Sequence, residues 1–281
     1  MSQVAELASG KGAKDENFPV ASFLLKPDHR APIMAFYRFA RAADDIADHA
    51  SASPDEKLAL LGQMRRGLDG AKDGAAEGLA LRDVMAERCL DPIHAHELLD
   101  AFEQDATVHR YETWAELMAY CRLSAMPVGR YVLDVHGEDR RTWPASDALC
   151  AALQVINHLQ DCAKDYRALD RVYIPAETFA ATGSRIEDLA ALAASPGLSE
   201  AIHILARRTG GLLEESAVFA SMIADTRLAT EVAIIQRLAE KLVRRLLERD
   251  PLSERVHHSK SETAWISLTA AASHLLMRRR R

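Results

Sequence analysis

Apolar residues recur at three- and four-residue spacing along most of the chain, which is the period of helices that bury one face. No stretch alternates apolar and polar residues in the manner of a half-buried strand. Ser53-Pro54-Asp55-Glu56 has the form of a capping box with proline in the first helical position. The pattern predicts helices over about 32–50, 54–69, 75–88, 92–108, 114–135, 145–167, 198–223, 226–249 and 262–281.

The connections define the domain prediction. Residues 1–16 are polar and contain glycine, which is typical of a flexible N-terminal arm. Residues 168–184 form a long connection, and connections of this length are often functional lids. No change of composition marks a linker, so residues 17–281 are predicted to form a single all-α domain.

Composition narrows the class of protein. Of 281 residues, 48% are hydrophobic, which is enough for a large core. The formal charge of −6 argues against a nucleic-acid partner, because such proteins carry a basic face. The four cysteines form no CxxC pair and are predicted to be buried, reduced thiols. With no signal-peptide pattern and no long apolar run, we expect a cytoplasmic protein, or one peripheral to the inner face of the cytoplasmic membrane.

Two acidic clusters carry the candidate chemistry. Each places two aspartates four residues apart on one helix face, where like charges cost roughly 0.2–0.5 kcal/mol. Each cluster ends a polar stripe at helical spacing, the first formed by Tyr37, Arg41, Asp44 and Asp48. The second stripe is formed by Gln154, Asn157, Asp161 and Asp165.

Two interpretations of the stripes stay open. Either stripe alone is typical of the solvated outer face of an amphipathic helix. However, both helices are apolar around most of their circumference, and buried carboxylates need partners. We therefore expect the stripes to face each other across a cavity that holds Mg²⁺ and a phosphate-bearing ligand.

These residues resemble the two aspartate-rich motifs of squalene and phytoene synthases. The first motif is matched by Tyr37, Arg41 and the segment 44–48, and the second by Gln154, Asn157 and the segment 161–165. Arg171-Val172-Tyr173 resembles the flap segment of that family. The resemblance covers about residues 17–260 and implies an all-α isoprenoid-synthase helical bundle around a central cavity.

Segments 16–20, 120–130 and 157–162 are most similar to the branch of the family that serves bacterial hopanoid and squalene biosynthesis. That resemblance implies conversion of presqualene diphosphate to hydroxysqualene, through Mg²⁺-assisted loss of diphosphate, cation rearrangement and capture by water. Condensing relatives usually have phosphate-binding residues where this chain has Glu16-Asn17 and Gln160, and a tyrosine without a clear counterpart around Leu238. A site for one diphosphate needs fewer such groups.

The resemblance also implies residue roles. The metal ligands for Mg²⁺, with Mn²⁺ as the alternative ion, are Asp44, Asp48, Asn157, Asp161 and Asp165. The substrate-binding residues are Phe18, Tyr37, Arg41, Gln154, Asn157, Lys164, Arg171, Tyr173 and Arg255. The catalytic residues are the four aspartates named above and Tyr120. Tyr120 would stabilise cations through its ring face or orient water, and the alternative for this residue is ordinary core packing. No glycine-rich dinucleotide motif follows a strand, so no NADPH is expected.

Several alternatives accompany this hypothesis. One is a head-to-head prenyl synthase that makes presqualene diphosphate, squalene or phytoene, and another is a non-catalytic assembly factor. His94, His96, Glu97 and Asp100 lack metal-site spacing and are predicted to form an exposed polar face. The last helix ends in Met277-Arg278-Arg279-Arg280-Arg281, which predicts either a packed helix with a solvated end or contact with a membrane surface. Handover of product to other squalene-pathway enzymes is expected.

Overall fold

Helices make up all the regular secondary structure in residues 26–278, the part of the chain that the computed structural model describes. The predicted all-α class is therefore confirmed, while the predicted arm and Phe18 lie outside the described residues. The α-helices are α1 (Pro27–Ala47), α2 (Pro54–Leu68), α3 (Ala76–Arg88), α4 (Ile93–Asp105), α5 (Trp114–Ser124), α6 (Met126–His136), α7 (Trp143–Gln160), α8 (Cys162–Leu169), α9 (Ala176–Thr182), α10 (Pro196–Glu215), α11 (Phe219–Met222), α12 (Thr226–Glu248) and α13 (Lys260–Arg278). Short 3₁₀ turns lie at Arg140–Thr142, Ile186–Ala190 and Ser216–Val218.

Capping residues explain several helix starts. The Ser53 hydroxyl accepts the Glu56 N–H at 3.3 Å, and the Glu56 carboxylate accepts the Ser53 N–H at 2.8 Å. The predicted capping box is confirmed, and it satisfies backbone donors that the first turn leaves free. Asp225 caps α12 in a similar way, with its carboxylate accepting the N–H of Arg227 at 2.8 Å.

Two predicted helix boundaries are wrong because of prolines. Helix α1 begins at Pro27 rather than Pro32, and Pro27 occupies the first turn, where a missing N–H costs nothing. The predicted helix 114–135 is divided at Ala125 into α5 and α6. Pro127 is the second residue of α6, and its ring disfavours continuation of a helix from the preceding turn.

Three further predictions need correction. The predicted helix 145–167 is divided at Asp161, whose φ of −103° and ψ of 8° are not helical. The predicted helix 198–223 ends at Glu215, and Ser216 donates its hydroxyl to the Leu213 carbonyl at 3.1 Å, a side-chain bond that competes with the helical ladder. The connection 168–184 contains the short helix α9, which ends at Gly183 with a left-handed φ of 67°.

The described chain forms two compact units. Among the described residues, the first comprises 26–108 and Pro127–Glu138, and in it α1 packs against α2, α3 and α4. Its most deeply buried side chains are Phe39, Ile46, Leu61, Met64, Leu81 and Leu99. Tyr131 of α6 fixes the start of α1, because its ring stacks on Phe36 at 4.1 Å and its hydroxyl donates to the Pro32 carbonyl at 3.2 Å.

Among the described residues, the second unit comprises His109–Met126 and 139–278. Helices α7, α10 and α12 pack on one another, α5 packs on α7, and α13 packs on α12. The core side chains that these helices bury include Leu117, Ile156, Leu159, Leu205, Leu238 and Leu246. The single domain proposed for residues 17–281 stays a prediction.

His94 does not belong to an exposed polar face, so that prediction is wrong for this residue. It is 1% exposed, and its Nε2 lies 3.1 Å from a carboxylate oxygen of Asp134 on α6. Asp100 is more exposed and binds the Arg65 guanidinium at 2.7 Å. These pairs form because a buried imidazole and a guanidinium both need hydrogen-bond partners. They connect α4 with α6 and α2 with α4 in the first unit.

The four cysteines are free thiols, as predicted. Cys121 and Cys162 are buried, and burial raises the pKa of each thiol to about 12. The prediction of burial is wrong for Cys89, which is exposed at the left-handed end of α3.

Candidate functional site

The first acidic cluster lies at the end of α1. Tyr37, Arg41 and Asp44 lie within the helix, and Asp48 is its C-terminal cap. All four are half-buried, whereas the apolar residues on the other faces of α1 are buried in the first unit. The stripe is therefore neither a fully solvated face nor part of the dry core.

Arg41 binds the acidic cluster itself. Its guanidinium donates to Asp44 at 2.7 Å and to Asp45 at 2.8 Å. Two carboxylates thus share one cation, and Asp48 adds a third negative charge within one turn. The phosphate-binding role of Arg41 stays a prediction.

Asp44 is the most strongly perturbed of these acids. Burial among protein atoms raises the pKa of Asp44 to about 7, although a third of the side chain is accessible to solvent. Repulsion from Asp48 adds to this rise, and the charge of Arg41 opposes it. Asp105 of α4, which no motif in the sequence marks, also raises this pKa and is itself 5% exposed.

This donor set fits a hard divalent cation. Such ions take carboxylate oxygens, and a second positive charge would stabilise the charged form of Asp44, which burial and the repulsion from Asp48 disfavour. Asp44 and Asp48 of the first unit offer such oxygens, and their role as metal ligands stays a prediction.

The second acidic cluster lies where α7 gives way to α8. Gln154, Asn157, Asp161 and Asp165 are all half-buried. The Asp161 N–H donates to the Asn157 carbonyl at 3.0 Å, and the Asp165 N–H donates to the Asp161 carbonyl at 2.8 Å. The helical hydrogen bonds therefore continue across the break, although the backbone angles of Asp161 are not helical.

Lys164 and Gln160 differ in their surroundings. Lys164 is exposed, and its ammonium lies 3.4 Å from an Asp161 carboxylate oxygen. An exposed pair of this length contributes little to stability. Gln160 is 6% exposed, so a neutral amide occupies a buried position next to the acidic cluster.

The segment around Arg171 is held in place and is not an open loop. Residues 171–175 are buried. The Val172 N–H donates to the His109 carbonyl at 2.9 Å, and the Ala176 N–H donates to the Tyr111 carbonyl at 2.9 Å. Arg110 also pairs with Asp170. These bonds position Arg171 and Tyr173 against the segment that precedes α5.

Tyr111, Tyr120, His158 and Tyr173 form an aromatic cluster within the second unit. The ring centroids of Tyr120 and Tyr173 are 5.6 Å apart, and those of Tyr111 and Tyr173 are 5.8 Å apart. The imidazole of His158 stacks on Tyr173 with 3.4 Å between centroids and 14° between planes. Desolvation by the surrounding protein atoms, with the nearby charge of Arg171, lowers the pKa of His158 to about 3, although the residue is only half-buried by surface area.

The motifs in the sequence predict roles for Tyr120 and Tyr173 but not for Tyr111 and His158. Tyr111 lies in a connection, where no periodic pattern marks it. His158 is followed by Asp161 and Asp165 at i+3 and i+7, so helical spacing alone would have placed it beside the acidic stripe.

The remaining selected residues are dispersed. Tyr37 is half-buried on α1. Arg255 is exposed after α12, with its guanidinium 3.4 Å from the His258 carbonyl oxygen. Its substrate-binding role, like the other assigned roles, stays a prediction.

Comparison with known proteins relates these features to a family. The sequence profile of the squalene/phytoene synthases matches residues 12–262. A hydroxysqualene synthase of Zymomonas mobilis is 53% identical over 273 residues, covering 96% of this chain and 92% of that protein. A hydroxysqualene synthase of Rhodopseudomonas palustris is 50% identical over 278 residues, covering 99% of this chain and 95% of that protein.

A solved structure supports the same relationship. The crystal structure of the squalene synthase HpnC from Alicyclobacillus acidocaldarius superposes with a TM-score of 0.72 at 29% identity. The match covers 86% of this chain and 90% of that one. The predicted isoprenoid-synthase fold is thereby confirmed.

Proposed function

Because this chain belongs to the squalene/phytoene synthase family, we propose that it converts presqualene diphosphate to hydroxysqualene and releases diphosphate. The observation that carries the proposal is its identity of 50–53%, over nearly its whole length, to hydroxysqualene synthases of two bacteria. Both aspartate motifs are intact in this chain, as a catalytic member of the family requires.

The residues around the second motif favour a substrate with one diphosphate. Gln160 is a buried neutral amide at a position where condensing relatives usually have arginine. Lys164 is exposed and pairs with Asp161. The second motif therefore offers fewer cationic side chains for binding phosphate oxygens than a site for two diphosphates would need.

The first step is cleavage of the carbon–oxygen bond to diphosphate, with the electron pair leaving on oxygen. Asp44 and Asp48 are proposed as Mg²⁺ ligands on the first motif, and Asp161, Asp165 and the Asn157 amide as Mg²⁺ ligands on the second. When bound, Mg²⁺ stabilises the charge that develops on the leaving oxygens. Arg171 is a second phosphate partner in this proposal, because its planar guanidinium offers paired donors.

The aromatic cluster has the chemistry needed after ionisation. The faces of tyrosine rings attract cations, and Tyr120 and Tyr173 are each at most 9% exposed. Burial also limits the access of bulk water, which would otherwise capture the first cation formed before it rearranges.

Incubation of the protein with presqualene diphosphate and Mg²⁺ in isotopically labelled water tests the function. We expect a thirty-carbon alcohol that carries the label by mass spectrometry, and release of one diphosphate per alcohol. EDTA should abolish turnover, and added Mg²⁺ should restore it, because the carboxylates need the cation. An unlabelled hydrocarbon product would contradict the proposal, and consumption of farnesyl diphosphate alone would favour a head-to-head synthase instead.

Peripheral contact with a membrane is part of this proposal. None of the helices between residues 26 and 278 is long and apolar enough to cross a bilayer. Helix α13 nevertheless exposes an apolar stripe at helical spacing, formed by Trp265, Leu268, Ala272, Leu275 and Leu276. The sequence continues after α13 into three more arginines, which attract anionic lipid. A water-insoluble product gives such contact a use.

The exposed stripe, and not the arginine of α13, is the surface to test. Arg278 donates to the carbonyls of Ile223 and Ala224, at 3.1 and 2.7 Å, so its removal would disturb packing as well as charge. We expect Trp265→Ser with Leu268→Ser to reduce flotation with vesicles containing phosphatidylserine by about tenfold, because two large apolar side chains no longer reach the lipid. The control is Leu192→Ser, at an 88% exposed leucine outside the stripe. Equal flotation of the double variant and the parent would remove the membrane contact.

A further inference from the structure

His158 brings a polar atom into the aromatic cluster. Its imidazole stacks on Tyr173, and its centroid lies 6.0 Å from that of Tyr120. The Nε2 atom is buried and has no hydrogen-bond partner. Buried polar atoms are nearly always paired, so an unpaired one needs a physical explanation, of which a catalytic role and an ordered water are two.

The position of His158 on its helix relates this atom to the second motif. Asp161 and Asp165 follow it at i+3 and i+7, and the helical hydrogen bonds continue through Asp161. His158 also directly follows Asn157, one of the proposed metal ligands. Under the proposed function, its ring thus borders the region where diphosphate leaves and a carbocation forms.

The other polar groups nearby are less suited to hold a neutral nucleophile. The aspartates are committed to the cation in the proposed function, and Arg171 is a donor with no acceptor atom. Tyrosine hydroxyls accept hydrogen bonds but also donate them, and the same rings are needed to face the cation. A neutral imidazole nitrogen is a good acceptor and carries no charge that would attract the carbocation itself.

We propose that His158 is the positioning residue for the water that ends the reaction, with Nε2 accepting a hydrogen bond from that water. The proposal rests on the proposed function and identifies the group that directs its last step. The water oxygen forms the carbon–oxygen bond with its lone pair, and one of its O–H bonds then breaks. The proton passes to the released diphosphate, which holds the electron pair of the bond cleaved at the start. The role requires the tautomer with the proton on Nδ1.

The test compares product ratios of His158→Phe and His158→Gln with the parent, each given presqualene diphosphate and Mg²⁺ in labelled water. Phenylalanine keeps a flat ring against Tyr173 but has no acceptor. We expect release of diphosphate to stay within about threefold of the parent, and the ratio of alcohol to hydrocarbon to fall about tenfold, as for one lost transition-state hydrogen bond. Glutamine, which places an acceptor at a similar distance from the backbone, should restore much of the ratio.

The matched control is His203→Phe, at a half-buried histidine of α10 whose ring nitrogen lies 3.9 Å from Glu200. It should leave the product ratio unchanged. A parental alcohol share in His158→Phe would overturn the proposal, as would a loss of diphosphate release at constant product ratio. If the phenylalanine variant does not fold, His158→Leu, which also lacks an acceptor, should show the same fall in the ratio of alcohol to hydrocarbon. If the parent protein itself makes no labelled alcohol, the proposed function is wrong, and the role of His158 is then wrong as well.

Discussion

Asp161→Asn is expected to lower turnover of presqualene diphosphate by about a thousandfold while the protein keeps its fold. The amide has nearly the same shape as the carboxylate but loses the negative charge that a divalent cation needs. Metal stabilisation of a leaving group amounts to several kcal/mol, and about 4 kcal/mol corresponds to a thousandfold change in rate. The rate of diphosphate release at saturating Mg²⁺ measures the effect.

The fold should tolerate this change because Asp161 contributes little to packing. Its side chain is 37% exposed and lies 3.4 Å from the ammonium of an exposed lysine. The N–H of Asp161, which continues the helical hydrogen bonding, is unaffected. Circular dichroism and the thermal midpoint should therefore match the parent closely, since exposed ion pairs contribute at most about 1 kcal/mol.

Asp139→Asn is the matched control in the same unit. The Asp139 carboxylate accepts the Arg141 N–H at 2.8 Å as a helix cap, and asparagine caps equally well. Its turnover should equal that of the parent. Parental turnover in Asp161→Asn as well would exclude Asp161 from the metal ligands.

Local signals in the sequence were sufficient for much of the fold. The Ser53 capping box and the apolar faces of α1 and α7 were predictable, because caps and periodicity act within a few residues. The division between α5 and α6 was also marked, by Pro127, although it was not predicted. The break at Asp161 had no such mark, since neither proline nor glycine lies there.

The partners of the candidate residues were not predictable in the same way. The acids themselves were found from their spacing, but the repulsion of Asp105 on Asp44 joins residues 61 positions apart in the chain. The stacking of His158 on Tyr173 depends on the backbone bonds that hold residues 171–176 against residues 109–111. Tertiary contacts of this kind decide which polar residue acquires an unusual environment, and one sequence does not encode them as a pattern.

The crossing of α2 and α3 depends on two glycines in the first unit. A Cβ atom on Gly78 would collide with the Met64 carbonyl oxygen and lie 2.8 Å from the Leu68 nitrogen. A Cβ atom on Gly67 would collide with the Ala75 carbonyl oxygen and lie 3.1 Å from the Leu79 nitrogen. These neighbours are backbone atoms, which cannot move aside as a side chain does. Helix α1, with the first acidic cluster, packs against both helices.

We therefore expect Gly78→Ala to lower the free energy of unfolding by about 3 kcal/mol, the upper end of the usual cost of overpacking, because α3 must move away from α2. The control is Gly62→Ala in α2, where no atom lies within 4 Å of the added Cβ. Alanine there should raise the free energy of unfolding by up to about 1 kcal/mol, since it favours helix more than glycine does. Urea unfolding followed by circular dichroism measures both changes. If the two variants unfold at the same urea concentration, the backbones of α2 and α3 do not approach as closely as the structure has them.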